Sequence, residues 1–284
     1  MLYSEIACVW RRMMRNLLLL LACLVLIADA FLSNKIRSQR PFCHPLHSSP
    51  SSAEIEARST VLTKGQQNRA RGKPFITGEL RPFAMKLHTR KQAPKEGGTI
   101  DRAEKPVAAW NPTREGYLQF LVDSREVYRT LEELTASREE LAMLQNTGLE
   151  RVGALNEDIS YLASHPSLGD RLEIPDVGEL GKAYANHLRH MSHDLPSFLN
   201  HFYNFYFAHT AGGRMIGAKL SELLLDGETL KFYQWDGDVK ELLARTAGEI
   251  DSIAAAWSRE EKDRCLEETG PAFKFGGSLL TYIK

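Results

Sequence analysis

The sequence feature that most constrains the fold is a glycine-rich stretch at residues 201–220. Aromatic and aliphatic residues recur there every three or four positions, which predicts a helix. The stretch nevertheless contains Gly212 and Gly213 side by side and a third glycine one turn later. Each interior glycine costs about 1 kcal/mol of helix stability relative to alanine. On ideal helical geometry Ala208, Ala211 and Gly212 share one face with almost no side-chain bulk. The pattern indicates either a flat cofactor against the backbone or a close helix crossing.

Net charge and cysteine positions separate the first 74 residues from the rest of the chain. Residues 1–74 contain eleven Lys or Arg and four Asp or Glu, a net charge of +7. The whole chain has a formal net charge of zero, so the remaining 210 residues carry −7. An acidic body lacks the basic face that nucleic-acid binding requires, so no nucleic-acid partner is expected. The body contains one cysteine, Cys265, which excludes an internal disulfide there and indicates a reducing compartment.

The N-terminal segment has the composition of a targeting sequence. Arg11, Arg12 and Arg15 precede an apolar run at residues 17–28. As a helix these twelve residues are too short to span about 30 Å of hydrocarbon. The sequence Ala-Asp-Ala at residues 28–30 has the A-x-A form of a signal-peptide cleavage site, so residues 1–30 are predicted to be a signal peptide. A membrane anchor is the alternative.

Residues 31–74 are rich in Ser, Arg, Lys and Pro, which is typical of a transit peptide. A signal peptide followed by Phe31 and such a segment resembles the bipartite presequence of algae with secondary plastids. We therefore expect delivery to the plastid stroma and no stable membrane anchor after processing. Residues 75–284 are predicted to form the folded domain.

Helical periodicity runs through the whole body, and no convincing alternating strand is present. The predicted helices cover residues 82–93, 113–134, 139–144, 149–165, 179–194, 201–225, 239–257 and 260–282. Ser258 and Glu261 fit a capping box at the start of the last helix. The sequence therefore predicts a single all-α domain without an internal repeat.

Histidines are the residues of the body that could carry metal chemistry. His88 lies among apolar residues, where it is either a hydrogen-bonded boundary residue or an axial ligand of heme iron. His187, His190 and His193 are spaced three apart. They could bind a transition metal, or they could simply line an exposed helix end.

Several motifs in the same order resemble the plastid heme oxygenases of plants and algae. They are AMKLHTRKQA, KPVAAWNPTREGYLQFLVDS, NTGLER, HFYNFYFAHTAGGRMIG, FYQWDGD and SREEKDRCLEET. The resemblance covers residues 76–284 and implies a helical bundle that holds heme b. The heme would lie between a proximal N-terminal helix and a kinked, glycine-rich distal helix.

The resemblance also implies roles for individual residues. His88 would be the proximal ligand of the iron, and Ala208, Gly212 and Gly213 would be small residues beside the heme. His209 stands where animal and bacterial relatives have an aspartate that organises the water network near bound oxygen. On helical geometry it is about 100° from Ala208, so its ring should not point straight at the iron.

Three further positions match residues that contact the heme propionates in the family. They are Arg81, Tyr203 and, more weakly, Arg245. Tyr203 points away from the face of Ala208 and Gly212 on a straight helix, so its role requires a bent one.

The activity implied by the resemblance is the opening of heme at its α-meso carbon by O2 and electrons. The products would be biliverdin IXα for plastid bilin synthesis, Fe2+ and CO, with heme as both cofactor and substrate. Reduced ferredoxin would supply the electrons to a monomeric enzyme, with Lys86, Arg90 and Lys91 as candidate docking residues. The alternatives are a heme-binding protein without activity and a helical interaction protein of the same fold.

Overall fold

The computed structural model describes residues 73–88 and 110–284, which form helices and connecting loops. No strand occurs in these two ranges, in agreement with the predicted all-α class. The α-helices are α1 (Arg81–Leu87), α2 (Arg114–Ala136), α3 (Val152–Ser164), α4 (Glu179–Met191), α5 (Leu195–Ala208), α6 (Arg214–Leu224), α7 (Val239–Ala254), α8 (Arg259–Glu267) and α9 (Thr269–Leu279). Among them no helix has the length and apolarity to cross a membrane. The predicted signal peptide and nearly all of the transit segment lie outside the described residues.

Helix α2 forms the centre of the bundle and packs against α3 and α4. Thr113 begins it, and the Thr113 hydroxyl accepts a hydrogen bond from the backbone N–H of Gly116 at 3.0 Å. Its apolar stripe is almost completely inaccessible, with Leu121 and Leu131 both 0% exposed. Burial of an amphipathic face, rather than helix propensity, therefore stabilises α2.

Two carboxylates of α2 cap the helices packed against it. Neither α3 nor α4 has a capping side chain at its own N-cap residue, Arg151 or Gly178. Asp123 accepts backbone hydrogen bonds from Gly178 and Gly181, both at 2.7 Å, and Glu132 accepts one from Arg151 at 2.8 Å. These bonds satisfy the first N–H groups of α3 and α4 and join them to the central helix.

The first helix differs from its predicted bounds of 82–93. A π-helical turn at Ile76–Leu80 precedes α1, and α1 ends at Leu87, with His88 in extended conformation. The earlier start follows from burial, because Ile76 and Leu80 lie in the core and Asp251 accepts a hydrogen bond from the Ile76 N–H at 2.8 Å. Residues 89–93 lie outside the described ranges.

The last predicted helix is two helices, α8 and α9, followed by a 3₁₀ turn at Leu280–Tyr282. The break falls at Glu268, and Pro271 explains it. A proline has no N–H for the helical hydrogen bond, and its ring clashes with the carbonyl four residues earlier. The capping box of Ser258 and Glu261 is confirmed, with both of its hydrogen bonds present. Residues 139–144 form a 3₁₀ rather than an α-helix, Glu139–Leu144.

Candidate functional site

A cavity lies between the end of α1, helix α9 and the glycine-rich helix. Its volume is about 260 Å³, which is several times that of a water molecule and suits an organic group. The wall is formed mostly by aromatic, aliphatic and glycine residues. Of the residues predicted from the sequence, the cavity brings together His88, Ala208, His209, Gly212 and Gly213.

His88 lines this cavity, and one of its ring nitrogens has no hydrogen-bond partner among the described residues. Its Nδ1 lies 3.1 Å from the carbonyl oxygen of Ala84. A carbonyl only accepts, so Nδ1 carries the proton and Nε2 keeps its lone pair. The edge of the Phe273 ring packs against the imidazole, with centroids 4.8 Å apart at 86°. A backbone hydrogen bond and an aromatic contact thus orient His88 as they orient metal-binding histidines.

The glycine-rich helix is interrupted by a single π turn, His209–Gly213, between α5 and α6. The Arg214 N–H bonds to the His209 carbonyl, five residues back. This insertion is the predicted kink, and π turns of this kind occur frequently at functional sites. It also corrects one prediction, because Ala211, expected on the open face with Ala208 and Gly212, does not line the cavity. A π turn holds more residues than an α turn, so each residue turns the helix by less than 100°. Residues after the start of the turn therefore lie on a different face from the one calculated.

The glycines of this helix serve different purposes. A Cβ added at Gly212 would meet nothing within 4 Å, so the backbone there faces open cavity. Gly276 and Gly277 of α9 line the same cavity and are equally open. A Cβ at Gly213 would come within 2.6 Å of His209 Nδ1, and one at Gly217 within 2.7 Å of the Tyr233 ring. Some glycines therefore leave space for a ligand, and others admit neighbouring side chains.

His209 is buried and fixed by the loop that follows α6. Its Nε2 donates to the carbonyl of Phe232 at 2.7 Å, and the two rings stack with centroids 3.9 Å apart. Asp158 holds that loop by accepting the backbone N–H groups of Lys231 and Phe232, at 3.0 and 2.6 Å. Burial lowers the pKa of His209 to about 3, although its hydrogen bond to the carbonyl opposes that shift. His209 is therefore neutral, with Nδ1 as a hydrogen-bond acceptor beside Gly213.

Comparison with known proteins identifies the family. The chain is 41% identical over 243 residues to heme oxygenase 1, chloroplastic, of Arabidopsis thaliana, covering 84% of each chain. It is 44% identical over 215 residues to heme oxygenase 1, chloroplastic, of Oryza sativa subsp. japonica, covering 75% of this chain and 72% of the relative. The chain belongs to the heme oxygenase family. No family model matches it.

A more distant relative and one solved structure complete the comparison of this heme oxygenase family member. The probable inactive heme oxygenase 2, chloroplastic, of Arabidopsis thaliana is 30% identical over 276 residues, covering 89% of each chain. The heme oxygenase-1 of the cyanobacterium Synechocystis, solved in complex with heme, aligns with a TM-score of 0.51 and 16% identity over 77% of this chain and 87% of that one. That similarity establishes the fold.

The cavity fits a heme in two respects. The Nε2 atom of His88 has no hydrogen-bond partner among the described residues, and the backbone at Gly212, Gly276 and Gly277 leaves open wall for a porphyrin. Neutral imidazole is a common axial ligand of heme iron.

The three residues predicted to contact the heme propionates, Arg81, Tyr203 and Arg245, do not line the cavity. Burial raises the pKa of Tyr203 to about 12, and the positive charge of Arg81 opposes this shift, so the two side chains are electrostatic neighbours. Arg81 is exposed, and neither residue lines the cavity. Arg245 donates to the carbonyl of Thr147 at 2.5 Å and is also absent from the cavity wall.

Sequence reasoning missed several residues of this heme oxygenase cavity. Tyr128 lines it, and its ring contacts that of His209 with centroids 6.0 Å apart. Tyr184, Phe273 and Gly276 line it from α4 and α9. Tyr128 belongs to the apolar stripe of α2, and that pattern looks the same for a core residue and for a cavity wall. The adjacent glycines of α9 were the one available signal.

Proposed function

We propose that this chain is an active, biliverdin-producing heme oxygenase. It opens heme at the α-meso carbon with O2 and electrons, and it releases biliverdin IXα, Fe2+ and CO. The observation that carries the proposal is the pairing of a free His88 Nε2 with an open, glycine-walled face in one cavity. Similarity of 41 to 44% to chloroplastic heme oxygenases supports the same reaction.

The residues of the cavity divide the work of binding. His88 Nε2 holds the iron, while Phe273 and the Ala84 carbonyl keep the imidazole in place. Gly212 and Gly276 let the ring lie directly against backbone. When bound, heme supplies an iron that activates O2 and a meso carbon that is oxidised.

His209 acts as a positioning residue. Its Nε2 is committed to the Phe232 carbonyl, so this nitrogen is not a proton donor in the cavity. Because the ring stays neutral, it places no strong acid beside bound oxygen. Nδ1 offers an acceptor that orders water near Gly213, and Gly213 itself provides the space for the ring. Arg81 and Tyr203 approach the propionates, and Arg245 remains the weaker candidate for that role.

The proposal also covers the electron donor and the cellular location of the enzyme. Reduced ferredoxin supplies the electrons by docking near His88, where Lys86 is exposed. Arg90 and Lys91 lie outside the described residues. The enzyme acts as a monomer in the plastid stroma, which it reaches through the signal peptide at residues 1–30 and the transit segment at 31–74. The chloroplastic relatives support a plastid location.

A heme-binding protein without activity is the second candidate, because the probable inactive relatives also match the chain. Their identity is lower, at 30 and 35%, than that of the relatives named heme oxygenase 1 and 3. Both candidates bind heme, but only the active enzyme converts it to biliverdin.

One preparation separates them. Hemin is added to the full chain, and the absorption spectrum is followed before and after addition of reduced ferredoxin and oxygen. Activity requires a heme spectrum that converts to that of biliverdin, with one CO per heme. A stable heme complex without biliverdin would establish the second candidate. Absence of any heme spectrum would exclude both.

A further inference from the structure

A second cluster of metal-ligating side chains lies beside the cavity. It consists of His187 on α4, His201 on α5 and Glu268 between α8 and α9. The Glu268 Oε1 atom lies 3.0 Å from His187 Nε2 and 2.9 Å from His201 Nε2. The three ligand atoms are all within 4.8 Å of one another. Two helices and the junction between α8 and α9 therefore bring two imidazoles and one carboxylate close together.

The spacing suits a divalent metal ion. Ligands at about 2.1 Å from an ion are about 3 Å apart when their bonds are at right angles. Both contacts that share the Glu268 oxygen already have this length. Two histidines and one carboxylate on one face are the ligand set of non-heme ferrous iron, with the remaining positions open.

Groups around the cluster orient the ligands. The Tyr184 hydroxyl lies 2.9 Å from His201 Nδ1, so its oxygen can accept a hydrogen bond from the Nδ1–H that His201 carries when Nε2 binds a metal. The Phe275 ring stacks on His187 at 4.5 Å and on Tyr184 at 4.9 Å. Each neutral imidazole can bind a metal through Nε2 if its proton moves to Nδ1. Metal binding therefore requires no net loss of a proton.

The cluster is connected both to the cavity and to solvent. Tyr184 lines the cavity with its ring and contacts His201 with its hydroxyl. The His201 side chain is 0% exposed, but those of Glu268 and His187 are 18% and 31% exposed. An ion can therefore reach His187 and Glu268 from the surface, and Tyr184 belongs both to the cavity wall and to the surroundings of His201.

We propose that His187, His201 and Glu268 form a second metal site, which receives the ferrous iron released when heme is opened. This inference rests on the proposed function, because that reaction releases Fe2+ into the cavity that Tyr184 also lines. The iron enters as the divalent ion and is neither oxidised nor reduced at the site. The site keeps the product iron coordinated by protein until it passes to solvent on the His187 side.

The first test is binding of Co2+, an air-stable optical probe for Fe2+, to the full chain without heme. The expected result is one site with visible d–d absorption, weakened about 10-fold or more by Glu268→Gln. His190→Gln is the matched control on the same helix, since His190 bonds to the Asn186 carbonyl at 2.7 Å and, among the described residues, is outside the cluster. This variant should bind Co2+ as the original chain does. His187→Asn, at the half-exposed ligand, is a second variant should Glu268→Gln fail to fold. Absence of such a site, or equal binding by these ligand variants, would show a purely hydrogen-bonded cluster and overturn the proposal.

The second test concerns the origin of the iron. A single turnover of bound heme is run with a ferrous chelator, and the appearance of chelated iron is timed against that of biliverdin. The chain should release iron after biliverdin, and Glu268→Gln should shorten this delay, whereas His190→Gln should not. An unchanged delay in Glu268→Gln would overturn the assignment to product iron. Failure to form biliverdin would contradict the proposed function instead, and the Co2+ titration would still judge the metal site.

Discussion

The two histidines of the cavity differ in what their ring nitrogens do. His88 uses only Nδ1, in a hydrogen bond to the Ala84 carbonyl, and is half-buried at the end of α1. His209 is buried at the π turn, donates from Nε2 to Phe232 and stacks on its ring. His88 has a ring nitrogen left over for the proposed iron ligation, whereas His209 fastens the glycine-rich helix to the loop at Phe232. The same residue type therefore has opposite duties, set by its hydrogen bonds.

The largest expected effect is that of His88→Ala. Loss of the proposed axial imidazole should lower the rate of biliverdin formation on the order of 100-fold or more, because the iron would lose its ligand from the protein. The measurement is single-turnover formation of biliverdin, together with the ferric heme spectrum. Added imidazole should restore part of the spectrum. An unchanged spectrum would show that another residue ligates the iron, and His165→Ala, an exposed histidine outside the cavity, serves as the control.

His209→Ala should act mainly on stability. It removes a buried ring and leaves the Phe232 carbonyl without its donor, a loss of about 2–4 kcal/mol in the free energy of unfolding. Urea denaturation of the chain without heme measures this. At the same time O2 activation should fall more than heme affinity. A variant that is as stable as the original chain would contradict the structural duty assigned to His209.

Substitutions at the two adjacent glycines should affect different properties, fold stability at Gly213 and heme affinity at Gly212. Gly213→Ala should destabilise the fold by about 1–3 kcal/mol, because its Cβ collides with His209. Gly212→Val should leave the fold largely intact but reduce heme affinity about 10-fold, since its side chain fills the cavity. Gly248→Val, on α7 with equally open surroundings, is the matched control for helix propensity. Similar heme affinities for Gly212→Val and Gly248→Val would mean that Gly212 does not face the heme.

The low pKa of His209 predicts a dependence of stability on pH. The folded protein keeps this imidazole neutral down to about pH 3, whereas the unfolded chain takes up the proton near pH 6.5. Stability from this group is thus complete above pH 6.5 and decreases as the pH falls from 6.5 towards 3, by at most about 1.4 kcal/mol per unit. Denaturation at several pH values should give a smaller slope for His209→Ala. His201, whose pKa burial also lowers, will account for part of the remaining slope.

The smallest effect is expected for Arg81→Gln. The side chain is exposed, and exposed ion pairs contribute about 0–1 kcal/mol, so heme affinity should fall no more than about fivefold. Hemin titration at low and high salt measures the difference, which should shrink with salt. An affinity that does not change at low salt would remove Arg81 from the propionate site.

The sequence was sufficient for the helices whose ends carry local signals. Thr113 begins α2, and Ser258 with Glu261 begins α8, because capping depends on residues a few positions apart. The sequence was insufficient where contacts with distant residues set the start or the cap of a helix. The first helix starts early because Ile76 bonds to Asp251, and Asp123 caps α4 from another helix.

The candidate site divides in the same way. His88 and the open backbone at Gly212 follow from sequence, since residue type and glycine spacing limit what can occupy such a face. The wall contributed by Tyr184 and the set of His187, His201 and Glu268 could not be foreseen, because these residues come from different helices. Sequence spacing pointed instead to His187, His190 and His193 on one predicted helix, but α4 ends before His193 and only His187 joins the cluster.

The sequence by itself determined an all-α chain of this family, its axial histidine candidate and the need for space against one helix. Those properties reside in local pattern and in residue type. Only the tertiary structure decided which glycine faces the cavity and which one accommodates His209. It also decided that the His209 Nε2 atom is committed to Phe232. A π turn shifts the register by a single residue, and packing with distant side chains selects that shift.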